Sequence, residues 1–397
     1  MSLNETPGAN RIYIGFYGKR NSGKSSLINA FTGQQVAIVS DVAGTTTDPV
    51  YKPMEVHGIG PCVFIDTAGV DDVGELGKMR VEKTEKAAEK TDVAVLLFSG
   101  EEYQAELEWF HYFKEKHTPI LCVLSKADTL TDSDSTAVQL KKETKQEILV
   151  ISSKNKEDIE KFKEELIRLV PDDYGEETIT GALVEEGDLV LLVMPQDIQA
   201  PKGRLILPQV QTLRELLDRK CLVMSTTTDK MTDALAALSH APKLIVTDSQ
   251  VFGYVYEHKP AESMLTSFSV LFAAYKGDLP YYVESARAID ALKPSSRVLI
   301  AECCTHAPLA EDIGRVKLPN LLRKRVGEEL TVDITSGTDF PDNLSQYDLV
   351  IQCGACMFNR KYVLSRIDRA RTQHVPMTNY GVAIAHLTGI LDKVSMP

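Results

Sequence analysis

The sequence predicts an α/β protein: an N-terminal P-loop GTPase domain followed by two further α/β domains, each on a mainly parallel sheet. Three observations lead there. Apolar runs ending in Gly, Ser or Asp alternate with charged helical stretches along the whole chain, as βα units on parallel sheets require. Near the N-terminus a strand, a G-x4-G-K-S loop and a helix follow one another, the context in which that loop cradles phosphates. The 397 residues are 43% apolar and 25% charged, an ordinary globular composition with room for two or three domains.

The same numbers exclude other classes. A formal charge of −12 opposes nonspecific binding to nucleic acid and to anionic lipid. No apolar run approaches the ~18 residues of a membrane span. The start, MSLNETPGAN, lacks a charged n-region followed by an apolar h-region, so no secretory signal is expected and the location is read as cytoplasmic. Seven cysteines are too few, and odd in number, for a disulfide framework; reduced thiols or metal ligands are the better reading.

The first piece, residues 1–172, begins with the strand IYIGFYG. CVFIDTAG, VAVLLFSG, ILCVLSKAD and EILVISS follow as further strands, with room for helices between them. The turn-rich acidic stretch Pro171–Glu177 marks its end. The second piece, 173–262, has DLVLLVMP, CLVMSTT and KLIVTDS as strands, with QTLRELLDRK and DKMTDALAALSHA as helices. It closes on Val251-Phe252-Gly253-Tyr254-Val255-Tyr256, where alternation predicts a strand with three aromatics on one face, a partner surface or a buried one. The third, 263–397, has RVLIAEC, LTVDITSG and YDLVIQC as strands and PNLLRKRVG and NRKYVLSRIDRARTQ as helices. The first two pieces are acidic and the third is nearly neutral.

The loop after the first strand is Gly18-Lys19-Arg20-Asn21-Ser22-Gly23-Lys24-Ser25, with Ser26 opening the helix. Its glycines allow a tight turn that points N–H groups at phosphate oxygens. Lys24 is expected to reach the β- and γ-phosphates and Ser25 to ligate Mg2+. Asp66-Thr67-Ala68-Gly69 ends the next strand. There Asp66 can hold the Mg2+ shell through water, and the Gly69 N–H can meet the γ-phosphate. The loop Gly44-Thr45-Thr46-Thr47-Asp48 could supply a threonine to both. Ser125-Lys126-Ala127-Asp128 and Ser152-Ser153-Lys154 end later strands.

The order of these five motifs resembles that of guanine-nucleotide-binding GTPases, above all the Era and tRNA-modification branch. The resemblance implies that Asp128 accepts from guanine N1–H and N2–H2, that the Lys126 stem lies along the base, and that the Ser153 N–H meets O6, with Lys154 in the same motif. It makes Thr46 the switch threonine. The chain departs from the family in having Ser125 where the pattern has Asn, which removes the amide that ties the base loop to the phosphate loop. Asn21 matches the position that helps coordinate K+ in potassium-activated members; the alternative is a residue that stabilises the turn. No glutamine follows the DTAG motif (Val70-Asp71-Asp72), so intrinsic hydrolysis is expected to be slow.

Cys62, Cys122 and Cys221 sit within apolar strands and read as small core residues. Cys304-Thr305-His306 and Cys353-Gly354-Ala355-Cys356 each follow a strand, and parallel sheets place ligands at such carboxyl ends. Three thiolates suit a 4Fe–4S cluster with one other ligand; Cys3His equally suits a structural zinc; the third reading is reduced thiols without metal. Helix NRKYVLSRIDRARTQ begins just past Cys356, so its N-terminus favours an anionic group. Its residues Arg360, Lys361, Arg366, Arg369 and Arg371 read as a solvated face.

A GTPase domain followed by CxH and, 46 residues later, CxxC resembles the FeFe-hydrogenase maturation GTPases, the HydF family. The resemblance implies a GTPase domain (1–172), a dimerisation domain (173–262) and a cluster-binding domain (263–397). It implies a homodimer that binds GTP/GDP, Mg2+ and a 4Fe–4S cluster, and carries a transient two-iron subcluster to the FeFe-hydrogenase apoprotein. The radical-SAM maturases HydE and HydG are then the upstream partners. Cys304, Cys353 and Cys356 become cluster ligands, with His306 as ligand, exchangeable ligand or neighbour. Many members carry a His before CxxC; this chain has Gln352. Cys303 matches nothing in the motif and reads as packed. The rival readings are an RNA- or ribosome-linked Era-type GTPase and a zinc-stabilised signalling GTPase.

Overall fold

The computed structural model describes residues 8–33, 48–69, 75–100, 102–170, 178–195, 205–303 and 313–397. The chain divides into two compact units, 1–174 and 175–397.

The first unit is one six-stranded sheet: β1 (Ile12–Tyr17), β2 (Val50–Val56), β3 (Gly60–Asp66), β4 (Val93–Phe98), β5 (Ile120–Leu124) and β6 (Ile148–Val150). Their order is β2-β3-β1-β4-β5-β6, and all pairs are parallel except β2 with β3. β4, Val-Ala-Val-Leu-Leu-Phe, is buried at every position, as a central strand covered on both faces must be. Helices α1 (Lys24–Thr32), α2 (Glu75–Ala88), α3 (Gln104–Glu115), α4 (Ser133–Thr144) and α5 (Lys156–Leu169) connect the strands. Two separate cores, one around Phe16, Phe64 and Phe162 and one around Tyr17, Phe98 and Phe113, fill the sheet's two faces. β2 was not legible in the sequence. It is an edge strand of alternating exposure and carries Pro53, which an edge tolerates.

The second unit holds two four-stranded parallel sheets. β7 (Leu189–Val193), β8 (Leu222–Thr226), β9 (Leu244–Thr247) and β10 (Met264–Ser267) lie in the order β10-β9-β7-β8. α6 (Leu207–Asp218), α7 (Met231–Ala236) and α8 (Phe252–His258) join them. After α9 (Phe268–Lys276) and α10 (Leu279–Ala286) come β11 (Arg297–Ala301), α11 (Leu318–Val326), β12 (Thr331–Thr335), β13 (Leu349–Gln352), α12 (Arg360–Thr372), β14 (Met377–Asn379) and α13 (Tyr380–Leu387). The second sheet has the order β12-β11-β13-β14. A single core joins the two sheets, with Leu191, Ile245 and Leu265 from one and Leu299, Val350 and Met377 from the other.

Three expectations change. The boundary at 262/263 falls just before β10, which pairs in parallel with β9, so the first of these sheets runs on to Ser267. The short polar run Met-Leu-Thr-Ser gives no strand signal by itself. The stretch 251–256 is not a strand: it forms a turn and then α8, with Phe252 and Val255 buried and Tyr254 exposed. The apolar spacing i, i+3 wins over alternation because this segment is the crossover between two parallel strands, a connection usually made by a helix. Arg366 leaves the expected solvated face of α12 and is buried, while Arg371 stays exposed. Among the described residues, no helix is long and apolar enough to cross a membrane.

Candidate functional site

In the first unit the loop between β1 and α1 takes the conformation that its glycines permit. Gly18 has φ +151°, and a Cβ there would lie 2.5 Å from the Leu97 carbonyl oxygen. Gly23, at φ +97°, precedes α1. Asn21, exposed, sits at φ +58°, a left-handed conformation that Asn tolerates better than most residues. Lys24 is buried, and its Nζ donates to the Gly18 and Lys19 carbonyls at 2.8 Å each. This places the ammonium inside the loop, where phosphate charge is to be met.

Ser25 Oγ donates to Asp66 Oδ2 at 2.6 Å. The other carboxylate oxygen of Asp66 is buried and has no hydrogen-bond partner among the described residues. Burial pushes the Asp66 pKa up, opposed by the Ser25 hydrogen bond and the Lys24 charge. An unfilled buried carboxylate oxygen beside a hydroxyl fits Mg2+. Gly69 completes this side: a Cβ there would lie 2.7 Å from the Arg20 backbone nitrogen, so only glycine lets the two loops touch.

The base loop meets the phosphate loop through Ser125. Its Oγ lies 2.5 Å from the Ser22 carbonyl and 3.1 Å from that of Phe98. The shorter side chain thus still makes the tie that the missing amide would make. Lys126, at φ +56°, runs its stem 3.9 Å from the position of a Gly23 Cβ. Asp128 accepts from Ser152 Oγ at 2.9 Å and Lys154 Nζ at 2.8 Å. The Lys154 and Ser152 hydrogen bonds hold its carboxyl below the usual range. Ser152 Oγ and Lys154 Nζ together orient Asp128, with Ser153, expected to act through its backbone N–H, between them in the motif.

In the second unit Cys353 and Cys356 follow β13. Ala355 between them has φ +51°, a strained conformation for a residue with a Cβ. On the Cβ side of Gly354 no atom of the described residues lies within 4 Å, which leaves room among them for a bulky group. Cys303, just past β11, is buried and lies against this loop: its backbone N–H donates to Cys353 Sγ at 3.1 Å. The neighbouring Cys303 thiol holds the Cys353 pKa below its ordinary value, against the effect of burial. Cys303 is packed in the core, as expected, and its backbone also borders the Cys353 sulfur.

Two buried cations flank the loop. Lys276, at the end of α9 and only 2% exposed, donates to the carbonyls of Ala355 (3.3 Å), Cys356 (3.5 Å) and Phe358 (2.8 Å). Burial lowers its pKa to about 8, against the pull of Cys356, Cys303 and Cys353. Arg366 on α12 is 1% exposed. Its guanidinium lies 4.7–4.9 Å from the ring centroids of Phe340, Phe358 and Tyr362. It donates to the Gly337 carbonyl at 2.6 Å, to Gln352 Oε1 at 3.5 Å and to Cys303 Sγ at 3.9 Å. Gln352, in the position of the family histidine, is thus turned toward Arg366. The other α12 arginines are also engaged: Arg360 binds the Gly277 carbonyl, Arg369 binds Asp342 and Arg371 binds Asp278.

The sequence-predicted residues therefore divide. Gly18, Asn21, Ser22, Gly23, Lys24, Ser25, Ser26, Asp66 and Gly69 lie on the two phosphate-side loops and the start of α1, and Lys126, Asp128, Ser153 and Lys154 lie on the base side. Cys353 and Cys356 share one loop. Thr46, Val70–Asp72, the break at Pro171–Glu177, Cys304 and His306 lie outside the described residues. Among the described residues no three His, Cys, Asp or Glu side chains converge on a metal position. The paired soft thiols, the open space at Gly354 and the buried positive charges nonetheless fit an anionic iron–sulfur centre. Cys62, Cys122 and Cys221 are buried, as expected, and burial pushes the first two thiols up to about 12. Lys276 was missed; the available signal was a lone cation in the apolar run Phe-Ser-Val-Leu-Phe-Ala-Ala-Tyr-Lys.

Three family models match stretches of the chain. Residues 13–126 match the 50S ribosome-binding GTPase family. Residues 179–277 match the hydrogen maturase F dimerization domain, and 280–397 the hydrogen maturase F tetramerization domain. The two meet between α9 and α10. Among curated relatives, the tRNA modification GTPase MnmE of Flavobacterium johnsoniae is 34% identical over 169 residues, covering 41% of this chain and 36% of that protein. GTPase Der of Wolinella succinogenes is 45% identical over 98 residues, covering 24% and 20%. The chain thus spans about a third or less of the length of these relatives. Aquifex aeolicus Era bound to GDP.AlF4- is 18% identical, covers 57% of this chain and 98% of that chain, and has a TM-score of 0.37, too low to bear on the argument.

Proposed function

The chain belongs to the hydrogen maturase F family, whose two named domains account for more than half of its length; on that premise we propose a GTP-hydrolysing scaffold that binds a 4Fe–4S cluster and assembles or delivers the two-iron subcluster of FeFe-hydrogenase. The observation that carries the metal half is the Cys353–Cys356 loop, opened by Gly354 and flanked by buried Lys276 and Arg366. Cys353, Cys356 and Cys304 are the thiolates that would hold the cluster, with His306 near the remaining position. When bound, the cluster supplies an iron-rich anchoring point for the two-iron cargo. The chain's own part is to present thiolates, leave space and offset their charge.

For the nucleotide half, Lys24 and the loop amides bind the phosphates. Ser25, Asp66 and Thr46 hold Mg2+, Gly69 meets the γ-phosphate, and Asp128 with Lys126, Ser153 and Lys154 selects guanine. Asn21 holds K+ beside the phosphates. On this reading turnover in K+ exceeds that in Na+, and Asn21→Ala erases the difference; equal rates in wild type leave Asn21 as a turn residue. The family domains support a homodimer and higher assembly. The partners are the FeFe-hydrogenase apoprotein and the radical-SAM maturases HydE and HydG, met in the reducing cytoplasm. Anaerobic reconstitution of the full chain tests the proposal: a brown protein carrying iron and acid-labile sulfide supports it, and a colourless protein holding one zinc overturns it.

A further inference from the structure

Among the described residues, the cations around the cysteine loop come from two helices, α9 and α12. Lys276 ends α9, a helix that packs into two of the unit's cores, with Val270 and Ala273 in one and Leu271 and Phe272 in the other. Its three acceptors are the carbonyls of Ala355, Cys356 and Phe358. These belong to the turn whose Ala355 is held at φ +51°. A turn of this kind persists only when its surroundings impose it, and one ammonium on three carbonyls imposes it. Arg360 ties the arrangement from the other side, since its Nη1 donates to the Tyr275 and Gly277 carbonyls at the end of α9.

Arg366 reaches the loop indirectly. Three aromatic rings and the Gly337 carbonyl fix its guanidinium, and Nη1 faces Cys303 Sγ at 3.9 Å. Cys303 in turn donates its backbone N–H to Cys353 Sγ. The guanidinium, Cys303 and Cys353 therefore form a line that runs from a buried positive charge to a ligand sulfur. Burying a cation away from any counter-charge is costly, and carbonyls alone offset that cost only in part. Negative charge at the thiolate site completes the balance.

We propose that Lys276 and Arg366 are positioning residues for the metal centre: Lys276 locks the Cys353–Cys356 turn, and Arg366, acting through Cys303, orients the Cys353 sulfur. Together they supply the buried positive charge that stabilises the more reduced, more negative state of an anionic iron–sulfur group. The proposal rests on the cluster reading above. It assigns Cys303 a supporting role distinct from that of a ligand. Removing either charge should shift the midpoint potential to more negative values while the cluster stays bound.

The test uses the full-length protein in two arms. In metal-free protein, hydrogen exchange across 353–358 reports the turn. Lys276→Met should speed exchange there several-fold, and Lys276→Gln, which keeps donors without charge, should do so less. Unchanged exchange in Lys276→Met overturns the locking role. In anaerobically reconstituted protein, Lys276→Gln, Lys276→Met and Arg366→Met should each keep iron content near wild type and move the midpoint potential negative. Cys303→Ala should retain iron and alter the spectrum of the centre. Potentials equal to wild type in all three charge variants overturn the charge role. A wild-type protein that takes up no iron overturns the cluster reading instead, and the exchange arm still decides the locking role. Unchanged GTP hydrolysis in each variant confirms that the first unit is intact.

Discussion

The two candidate sites handle negative charge in opposite ways. The phosphate loop of the first unit gathers its donors from one contiguous stretch, Gly18 to Ser25, with Asp66 and Gly69 close behind. Its cation, Lys24, is held by carbonyls of its own loop. The cysteine loop draws its cations from α9 and α12, 79 residues before and 14 residues after their partners Ala355 and Gln352. A local device is written in one motif. A device assembled by the tertiary fold leaves only scattered residues in the sequence, each of which looks ordinary by itself.

Separating the two sites chemically should give the largest effect. Lys24→Ala is expected to lower GTP hydrolysis by about 10²–10³-fold, as for loss of a group that stabilises transition-state charge, and to leave iron content unchanged. Iron loss in that variant would join what the structure describes as two units. Hydrogenase activation should fail with it if nucleotide state gates partner exchange, because gating needs different partner affinities for the GTP and GDP forms.

Asp66→Asn sharpens the contrast from the stability side. Burial raises the Asp66 pKa, so between its unfolded and folded values the folded chain binds the extra proton. Stability then falls as pH rises through that window, and the ionised group costs free energy at neutral pH until Mg2+ compensates it. Asp66→Asn should therefore stabilise the Mg2+-free first unit by roughly 1 kcal/mol, or about 2–4 °C in Tm for a unit of this size, while abolishing Mg2+-dependent turnover. A lower melting temperature in the variant would show that the Ser25 hydrogen bond outweighs the burial cost. On acidification, Mg2+ affinity of the wild type should begin to fall above the ordinary carboxylate range.

The smallest effect concerns Ser125. Its hydroxyl already links the base loop to Ser22, so Ser125→Ala should weaken GTP binding by about 1 kcal/mol, or roughly fivefold. Equal affinity in the two proteins, measured by titration, would mean that the link does not hold the loops together in solution.

These expectations show where the sequence was legible. The strands of the first unit announced themselves because each buried parallel strand is a near-continuous apolar run, as in β4, and the motif residues follow them at once. β2, β10 and β14 were not readable: β2 alternates at an edge, and Met-Leu-Thr-Ser and Met-Thr-Asn are too short to carry a pattern. At 251–256 a period of two in the aromatics masked the i, i+3 spacing of Phe252 and Val255. In the cysteine site, spacing identified Cys353 and Cys356. It could not identify Cys303, because its place beside Cys353 follows from the parallel pairing of β11 with β13. Nor could it say that Arg366, one arginine among several on α12, is the one turned inward between aromatic rings.

We propose that this chain carries two chemically independent centres, one for guanine nucleotide and one for iron. It is tested most directly by measuring iron, acid-labile sulfide and GTP hydrolysis on the same samples of reconstituted wild type, Cys353→Ser and Cys356→Ser. About four irons per chain are expected in wild type, with a large loss in each variant because serine oxygen is a poorer ligand for these irons, and the same GTP turnover in all three. Iron content unaffected by both substitutions, or zinc in place of iron, would contradict it.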